Sequence, residues 1–243
     1  MSDVVRVAMW SGPRNISTAM MRSWQNRPDC AVWDEPFYAA YLRHTGLDHP
    51  ARAEVIAAGE PDPDAVVAAL LGAPPGGAAV FYSKQMSHHL PPGMDLSWTS
   101  ALRNVLLIRE PREVVASYVR SREACEPDDI GLLQQERLAA YWSGRGTAAP
   151  VVDSADFLAD PEGHLRWLCD WVGIGFTPAM LRWPAGPRDS DGVWAPHWYG
   201  AVRASTGFEP RRPREVALGE HDAEVAEACR PAYEALREQR LRL

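Results

Sequence analysis

The chain has 243 residues, of which 46% are hydrophobic, and a formal net charge of −7 at pH 7. This acidic balance argues against nucleic acid or an anionic membrane as a partner, but it is compatible with a locally basic pocket for a small anion. No run approaches eighteen apolar residues and no signal-type leader begins the sequence, so we expect a soluble, cytoplasmic protein.

The length suits one domain over residues 1–243, and the alternation of short apolar runs with helical patterns favours an α/β fold. Four cysteines are widely scattered and share no metal-ligand spacing with the histidines, so we expect neither a disulfide nor a metal site. They are Cys30, Cys125, Cys169 and Cys229.

The first motif follows an apolar run at residues 4–9, which predicts a strand. Residues 11–20, Ser-Gly-Pro-Arg-Asn-Ile-Ser-Thr-Ala-Met, then predict a tight loop and the start of a helix. Backbone N–H groups at such a helix start bind anions, and Arg14, Ser17 and Thr18 can add donors. The segment therefore predicts a phosphate-binding loop.

Two observations limit this interpretation of the loop. It lacks the second glycine and the lysine of a Walker A motif, which makes ATP a weaker expectation. A purely structural alternative is that Asn15 or Ser17 caps the helix while Arg14 lies in solvent.

Further strands and helices alternate along the chain. Residues 31–34 predict a second strand that ends at Glu35-Pro36. Carboxylates at the end of such a strand lie at the edge of the sheet where α/β proteins form their sites. A proline-rich, alanine-rich segment at about 47–77 predicts a helical insertion or cap, and residues 78–82 and 104–108 predict the third and fourth strands.

The second half follows the same order, as parallel strands with helical crossovers. Helices are predicted at 130–145, 161–172 and 220–240, with a short strand at 151–152 that ends at Asp153. The closing helix could serve a homodimer, although the oligomeric state stays open.

Polar clusters follow the third and fourth strands. Lys84 comes directly after the third strand and could stabilise charge on a bridging oxygen, while His88 or His89 could act as a general base. The alternative is an ordinary surface loop.

After the fourth strand, Arg109 precedes Pro111 at a helix start, which predicts a second anion-binding corner or an ordinary turn. Two such corners indicate a ligand with two separated anionic groups.

These motifs, in this order, resemble the sulfotransferases that use 3′-phosphoadenosine 5′-phosphosulfate (PAPS). The family's 5′-phosphosulfate loop is similar in register to residues 13–18, with Arg14 at its lysine position, and the arginine and serine of its 3′-phosphate motif have the spacing of Arg109 and Ser117. The resemblance implies a three-layer α/β/α sandwich with a central parallel sheet, P-loop NTPase-like, and PAPS as co-substrate. The donor-binding residues that it implies are Pro13, Arg14, Asn15, Ile16, Ser17, Thr18, Arg109 and Ser117.

The same resemblance leaves the catalytic base open. Lys84 and His89-Leu90-Pro91 resemble the family's lysine, threonine, histidine, leucine, proline stretch, but two extra residues leave the choice between His88 and His89. Glu35-Pro36 resembles a glutamate-proline pair proposed for that role in some bacterial members. The resemblance thus implies catalytic roles for His89, His88, Glu35, Lys84 and Arg14.

Two departures from the family pattern stand out. Ile16 replaces a glycine, so we expect the loop to curl differently, because a β-branched residue resists positive φ. The C-terminal arginine-lysine-glycine is absent, and Arg188 or Arg203 could replace its cationic contact.

The sequence therefore predicts transfer of a sulfuryl group from PAPS to a hydroxyl of a small molecule, with an amine as second choice and without a metal. A nucleotide-dependent kinase or phosphotransferase is the alternative enzyme, and a non-catalytic nucleotide-binding protein is the alternative outside enzymes.

Overall fold

A computed structural model describes residues 4–120, 125–211 and 216–243. Its centre is a five-stranded sheet, whose strands are β1 Val5–Ser11, β2 Cys30–Asp34, β3 Val80–Met86, β4 Arg103–Ile108 and β5 Val151–Asp153. The strand order is β2-β3-β1-β4-β5, and every neighbouring pair is parallel. Parallel neighbours need crossover connections, and helices supply them.

The described residues form helices α1 Ser17–Gln25, α2 Tyr38–Thr45, α3 Arg52–Ala58, α4 Pro63–Leu71, α5 Pro111–Val119, α6 Leu132–Ser143, α7 Ser154–Ala159, α8 Pro161–Val172, α9 Ala195–Trp198, α10 Gly200–Ala204 and α11 Glu220–Glu238. Proline occupies the first turn of α4, α5 and α8, where its missing N–H costs no hydrogen bond.

Helices cover both faces of the sheet. Successive strand residues point to opposite faces, so Trp10 and Leu106 pack with α5, α6 and α11, whereas Met9 and Leu107 pack with α1 and α8. The predicted three-layer α/β/α sandwich with a central parallel sheet, a P-loop-like fold, is confirmed.

The third strand is longer than the sequence prediction of residues 78–82. β3 continues to Met86, with all seven residues buried, so Lys84 lies inside the strand rather than after it. The polar end of this strand is buried because β1 and β2 pair with β3 on its two sides, and Lys84 lies beside both Met9 and Asp34 in the register.

The segment at 47–77 contains α3 and α4. Val66 and Leu70 of α4 pack on Phe37 and on Phe81 of β3. None of the helices in the described ranges has the length and apolar character needed to cross a bilayer.

Candidate active site

A cavity of about 400 Å³ opens at the carboxyl ends of the strands, where parallel α/β sheets place their sites. The loop after β1, Glu35 after β2, the end of β3 and Arg109 after β4 all contribute to its wall. Among the predicted site residues, those that line it are Pro13, Arg14, Asn15, Ile16, Ser17, Thr18, Glu35, Lys84, His88, His89, Arg109 and Ser117.

The loop after β1 reaches α1 through a turn at Arg14. Arg14 has φ +54°, whereas Ile16 has φ −82°, so the left-handed position lies two residues before the isoleucine. The β-branched residue therefore stands where the backbone suits it. Among the described residues no side chain caps α1, although Asn15 Oδ1 accepts the Ile16 N–H at 2.8 Å. The N–H groups from Ser17 onward are therefore the ones that a ligand can use.

Glycine is required where this loop meets the turn before α6. A Cβ on Gly12 would lie 2.0 Å from the carbonyl oxygen of Ile130, and Gly131 has φ +78°. Asn15 fixes the other side of the loop, because its Nδ2 donates to the Leu107 carbonyl at 3.0 Å. The loop is thus held on β4 and against the start of α6.

Two arginines and a serine form the first end of the cavity, which we call the donor end: Arg14, Arg109 and Ser117. Arg14 Nε donates to Ser117 Oγ at 3.0 Å, and Arg109 Nη1 donates to the Arg14 carbonyl at 2.7 Å. Burial lowers the pKa of Arg14, and repulsion from Arg120 and Arg109 lowers it further. An anion bound between these cations would relieve that repulsion.

Four polar side chains form the opposite end, which we call the acceptor end: Asp34, Glu35, Lys84 and Tyr199. Lys84 Nζ donates to Asp34 Oδ1 at 3.0 Å, to Glu35 Oε1 at 2.6 Å and to the Tyr199 hydroxyl at 2.6 Å. Burial alone would lower the pKa of Lys84, but Asp34 and Glu35 raise it well above its ordinary value. Lys84 is therefore a cation whose three N–H bonds are used inside this cluster.

Glu35 has unusual backbone and electrostatic surroundings. Its φ is +45°, which is strained for a residue with a side chain. Burial and then the Asp34 charge raise the pKa of Glu35, while Lys84 opposes that rise. The resulting carboxylate is a stronger base than an ordinary glutamate.

Both candidate histidines line the cavity, but as neutral rings. His89 stacks on Tyr38 and on Tyr41 with ring centroids 4.6 Å apart in both pairs, and its Nδ1 lies 3.9 Å from Glu35 Oε2. Burial, followed by repulsion from His88, lowers the pKa of His89 well below its ordinary value. Burial and His49 lower the pKa of His88 to about 3.

An arm at residues 184–209 closes one side of the cavity, and Trp198, Val202 and Phe208 belong to the lining. Arg22 of α1 holds the arm through a buried ion pair with Asp191, 2.5 Å long. Arg203 Nε lies 3.6 Å from Asp191 Oδ2, and neither Arg203 nor Arg188 lines the cavity. The predicted donor contact of Arg203 or Arg188 thus stays a prediction.

Sequence reasoning missed Tyr199 as a site residue. Tyr199 meets Lys84 across a separation of 115 positions, and its hydroxyl also donates to Asp34 Oδ2 at 2.6 Å. In the sequence, the aromatic residues at 197–199 indicate packing. Their spacing does not indicate that Tyr199 contacts a residue on a strand.

Comparison with known proteins identifies the class to which this fold and site belong. The chain matches the sulfotransferase domain family over residues 5–240 and belongs to that family. The family takes its name from sulfotransfer.

Individual relatives extend this comparison. The chain is 36% identical to branched-chain-amino-acid aminotransferase-like proteins 2 and 1 of Arabidopsis thaliana, over 94% and 98% of its length. It spans 40% and 42% of those two proteins.

Solved structures share the fold at low identity. The sulfotransferase domain of the Synechococcus PCC 7002 olefin synthase is 18% identical, with a TM-score of 0.54 over 94% of this chain and 95% of the other. The sulfotransferase domain of the curacin biosynthetic pathway is 15% identical, with a TM-score of 0.58 over 93% and 97%. The sulfotransferase of Alicyclobacillus acidocaldarius is 16% identical, with a TM-score of 0.55 over 96% of both chains.

Proposed function

We propose that the protein transfers a sulfuryl group from PAPS to a hydroxyl of a small molecule, with an amine as the second choice of acceptor. The observation that carries this proposal is that one cavity joins two anion-binding corners to a buried carboxylate. Arg14 and Arg109 belong to corners 95 positions apart in sequence, yet a hydrogen bond of 2.7 Å joins them.

The donor end fits a ligand with two separated anionic groups. The uncapped start of α1 and the Arg14 guanidinium suit the 5′-phosphosulfate, and Arg109 with Ser117 suits the 3′-phosphate. When bound, the donor supplies a sulfuryl group on a phosphate leaving group. Arg14 and the α1 amides then stabilise the charge that develops on that phosphate.

We infer that Glu35, rather than His88 or His89, is the base. A raised pKa strengthens the Glu35 carboxylate as a base, whereas neutral imidazoles with lowered pKa values, about 3 for His88, accept protons weakly. Glu35 Oε1 is held by Lys84, which leaves Oε2 to take the acceptor proton. The stacked ring of His89 packs beside that oxygen and keeps the pocket narrow.

We infer that the Lys84 side chain has a different role from the one that the sequence indicated. Its three donors bind within the acceptor end, so stabilisation of the leaving oxygen falls to Arg14 and the helix amides. We propose a compact acceptor, which would share the cavity of about 400 Å³ with the donor. Aromatic faces from Tyr38, Trp198 and Phe208 suit an apolar body beside the reacting hydroxyl.

The test is direct transfer of label. The protein is incubated with PAPS carrying ³⁵S in its sulfuryl group and a panel of small alcohols and amines, in EDTA, and products are separated by chromatography. We expect a labelled product from a compact alcohol. Labelled product from no member of the panel, together with magnesium-dependent transfer from ATP, would overturn the proposal.

A further inference from the structure

We propose that Tyr199 and Lys84 are positioning residues, which together with Asp34 hold the Glu35 carboxylate in place for proton removal. This inference rests on the proposed function, because it concerns the base of the same reaction. Under this proposal the arm at residues 184–209, which carries Tyr199, helps to position the base in addition to closing one side of the cavity.

Every hydrogen-bonding position at the centre of this network is used. The Tyr199 hydroxyl accepts from Lys84 Nζ at 2.6 Å and from Trp194 Nε1 at 3.2 Å, and it donates to Asp34 Oδ2 at 2.6 Å. Lys84 uses its remaining donors on Asp34 and Glu35. A fully satisfied buried network rigidifies its members, so Glu35 Oε1 has a fixed location.

The network joins elements that are distant in sequence. Asp34 ends β2, Lys84 lies in β3, and Tyr199 lies between α9 and α10. Lys84 and Tyr199 are 2% and 4% exposed. Solvent therefore cannot replace a lost partner here without rearrangement of the site.

The charged and titratable groups around Glu35 come from all sides. Asp34 precedes it, Lys84 faces it from β3, His89 lies 3.9 Å from Oε2, and the Tyr199 hydroxyl lies 3.5 Å from Oε1. Asp34 raises the pKa of Glu35, and Lys84 lowers it. The Tyr199 hydroxyl has one hydrogen, which it donates to Asp34 Oδ2, so Tyr199 acts on Glu35 by partly neutralising the Asp34 charge. Asp34→Asn should therefore lower the pKa of Glu35, and Tyr199→Phe should raise it.

The experiment is a ¹³C-carboxyl NMR titration of the ligand-free protein labelled on glutamate. Glu35→Gln assigns the Glu35 signal by its loss. Tyr199→Phe removes only the hydroxyl, Asp34→Asn removes the charge at nearly constant size, and Tyr141→Phe on α6 is the matched control, since Tyr141 lies outside the cavity lining. Calorimetric binding of adenosine 3′,5′-bisphosphate to each variant reports the donor end separately.

We expect Tyr199→Phe to move the Glu35 midpoint to higher pH, Asp34→Asn to move it to lower pH, and Tyr141→Phe to leave it unchanged. Bisphosphate affinity should change less than about threefold in all three variants, because the donor end keeps its residues. A midpoint that is the same in all folded variants would overturn the positioning role. If Tyr199→Phe does not fold, Asp34→Asn decides, and an unchanged or raised midpoint there contradicts the proposal.

Failure of the proposed function would look different. Loss of bisphosphate binding already in the unsubstituted protein would count against PAPS as donor, while the titration would still report whether Asp34 and Tyr199 control Glu35.

Discussion

The two ends of the cavity differ in how their charged side chains are paired. The donor end gathers positive charge on Arg14, on Arg109 and on the start of α1, and Arg109 is 30% exposed and pairs with Glu113 at 3.1 Å. The acceptor end pairs its charges internally, since Lys84 lies between Asp34 and Glu35 and all three are nearly buried. In the proposed reaction, one end receives an anion from solution and the other holds the carboxylate that takes a proton.

This difference indicates how each end of the cavity would contribute to the proposed reaction. In the proposed reaction, the Arg14 guanidinium and the first N–H groups of α1 gain most when an anion arrives, so the donor end would act through binding and through stabilisation of developing charge. The hydrogen bonds of the acceptor end are already made, so this end would act through the position and proton affinity of one carboxylate, Glu35.

The largest expected effect is at the acceptor end. Glu35→Gln should lower turnover by about 10²–10⁴-fold, the usual contribution of a positioned base, with little change in donor affinity. In the unsubstituted protein, activity should fall as pH drops through the raised pKa of Glu35, above the value of about 4.3 for an ordinary glutamate.

Release of adenosine 3′,5′-bisphosphate from PAPS, followed against pH with a compact alcohol, measures both effects. Glu54→Gln, on the exposed side of α3, is the matched control and should behave as the unsubstituted protein. Full activity in Glu35→Gln would return the role of base to the histidines.

A slightly smaller loss is expected at the donor end. Arg14→Ala should reduce turnover by about 10²–10³-fold while the fold is kept, because one preorganised cation on the leaving phosphate is removed. Arg43→Ala, exposed on α2, supplies the control. Circular dichroism together with the same turnover assay checks the prediction, and near-normal turnover would remove Arg14 from the mechanism.

The backbone of the donor end should tolerate less change than its surroundings. Gly12→Ala should lower the free energy of unfolding by about 1–3 kcal/mol, because the new Cβ would overlap the Ile130 carbonyl oxygen. Gly175→Ala is the matched control, since, apart from its two chain neighbours, none of the residues that the structure describes lies within 4 Å of its added Cβ. Urea denaturation followed by tryptophan fluorescence compares the two, and equal stability would mean that the loop moves without cost.

The sequence predicted the scaffold well and placed Arg14 and Arg109 on strand-to-helix turns, for a local reason. Proline at a helix start and an apolar strand before it are short-range signals, and α8 begins and ends at the predicted residues, Pro161 and Val172. The anion-binding corners follow from such strand-to-helix turns, and the topology then brings Arg14 beside Ser117.

The acceptor end was harder to predict, because long-range contacts determine it. Lys84 and Gln85 are polar, so in the sequence they indicate the end of a strand, although both lie inside β3. Burial of Lys84 is possible because its charge is paired with Asp34 and it donates to the Tyr199 hydroxyl. Neither partner is within 40 positions of Lys84, so no local pattern could indicate that its charge is paired.

The most direct test of the account is calorimetry of adenosine 3′,5′-bisphosphate without magnesium, beside ADP and AMP, for the unsubstituted protein and Arg109→Ala. We predict micromolar binding that is selective for the bisphosphate and that the substitution weakens by about 2 kcal/mol, or roughly thirtyfold, as expected for lost charged hydrogen bonds. No binding, or equal binding of ADP that needs magnesium, would contradict the assignment of the donor end.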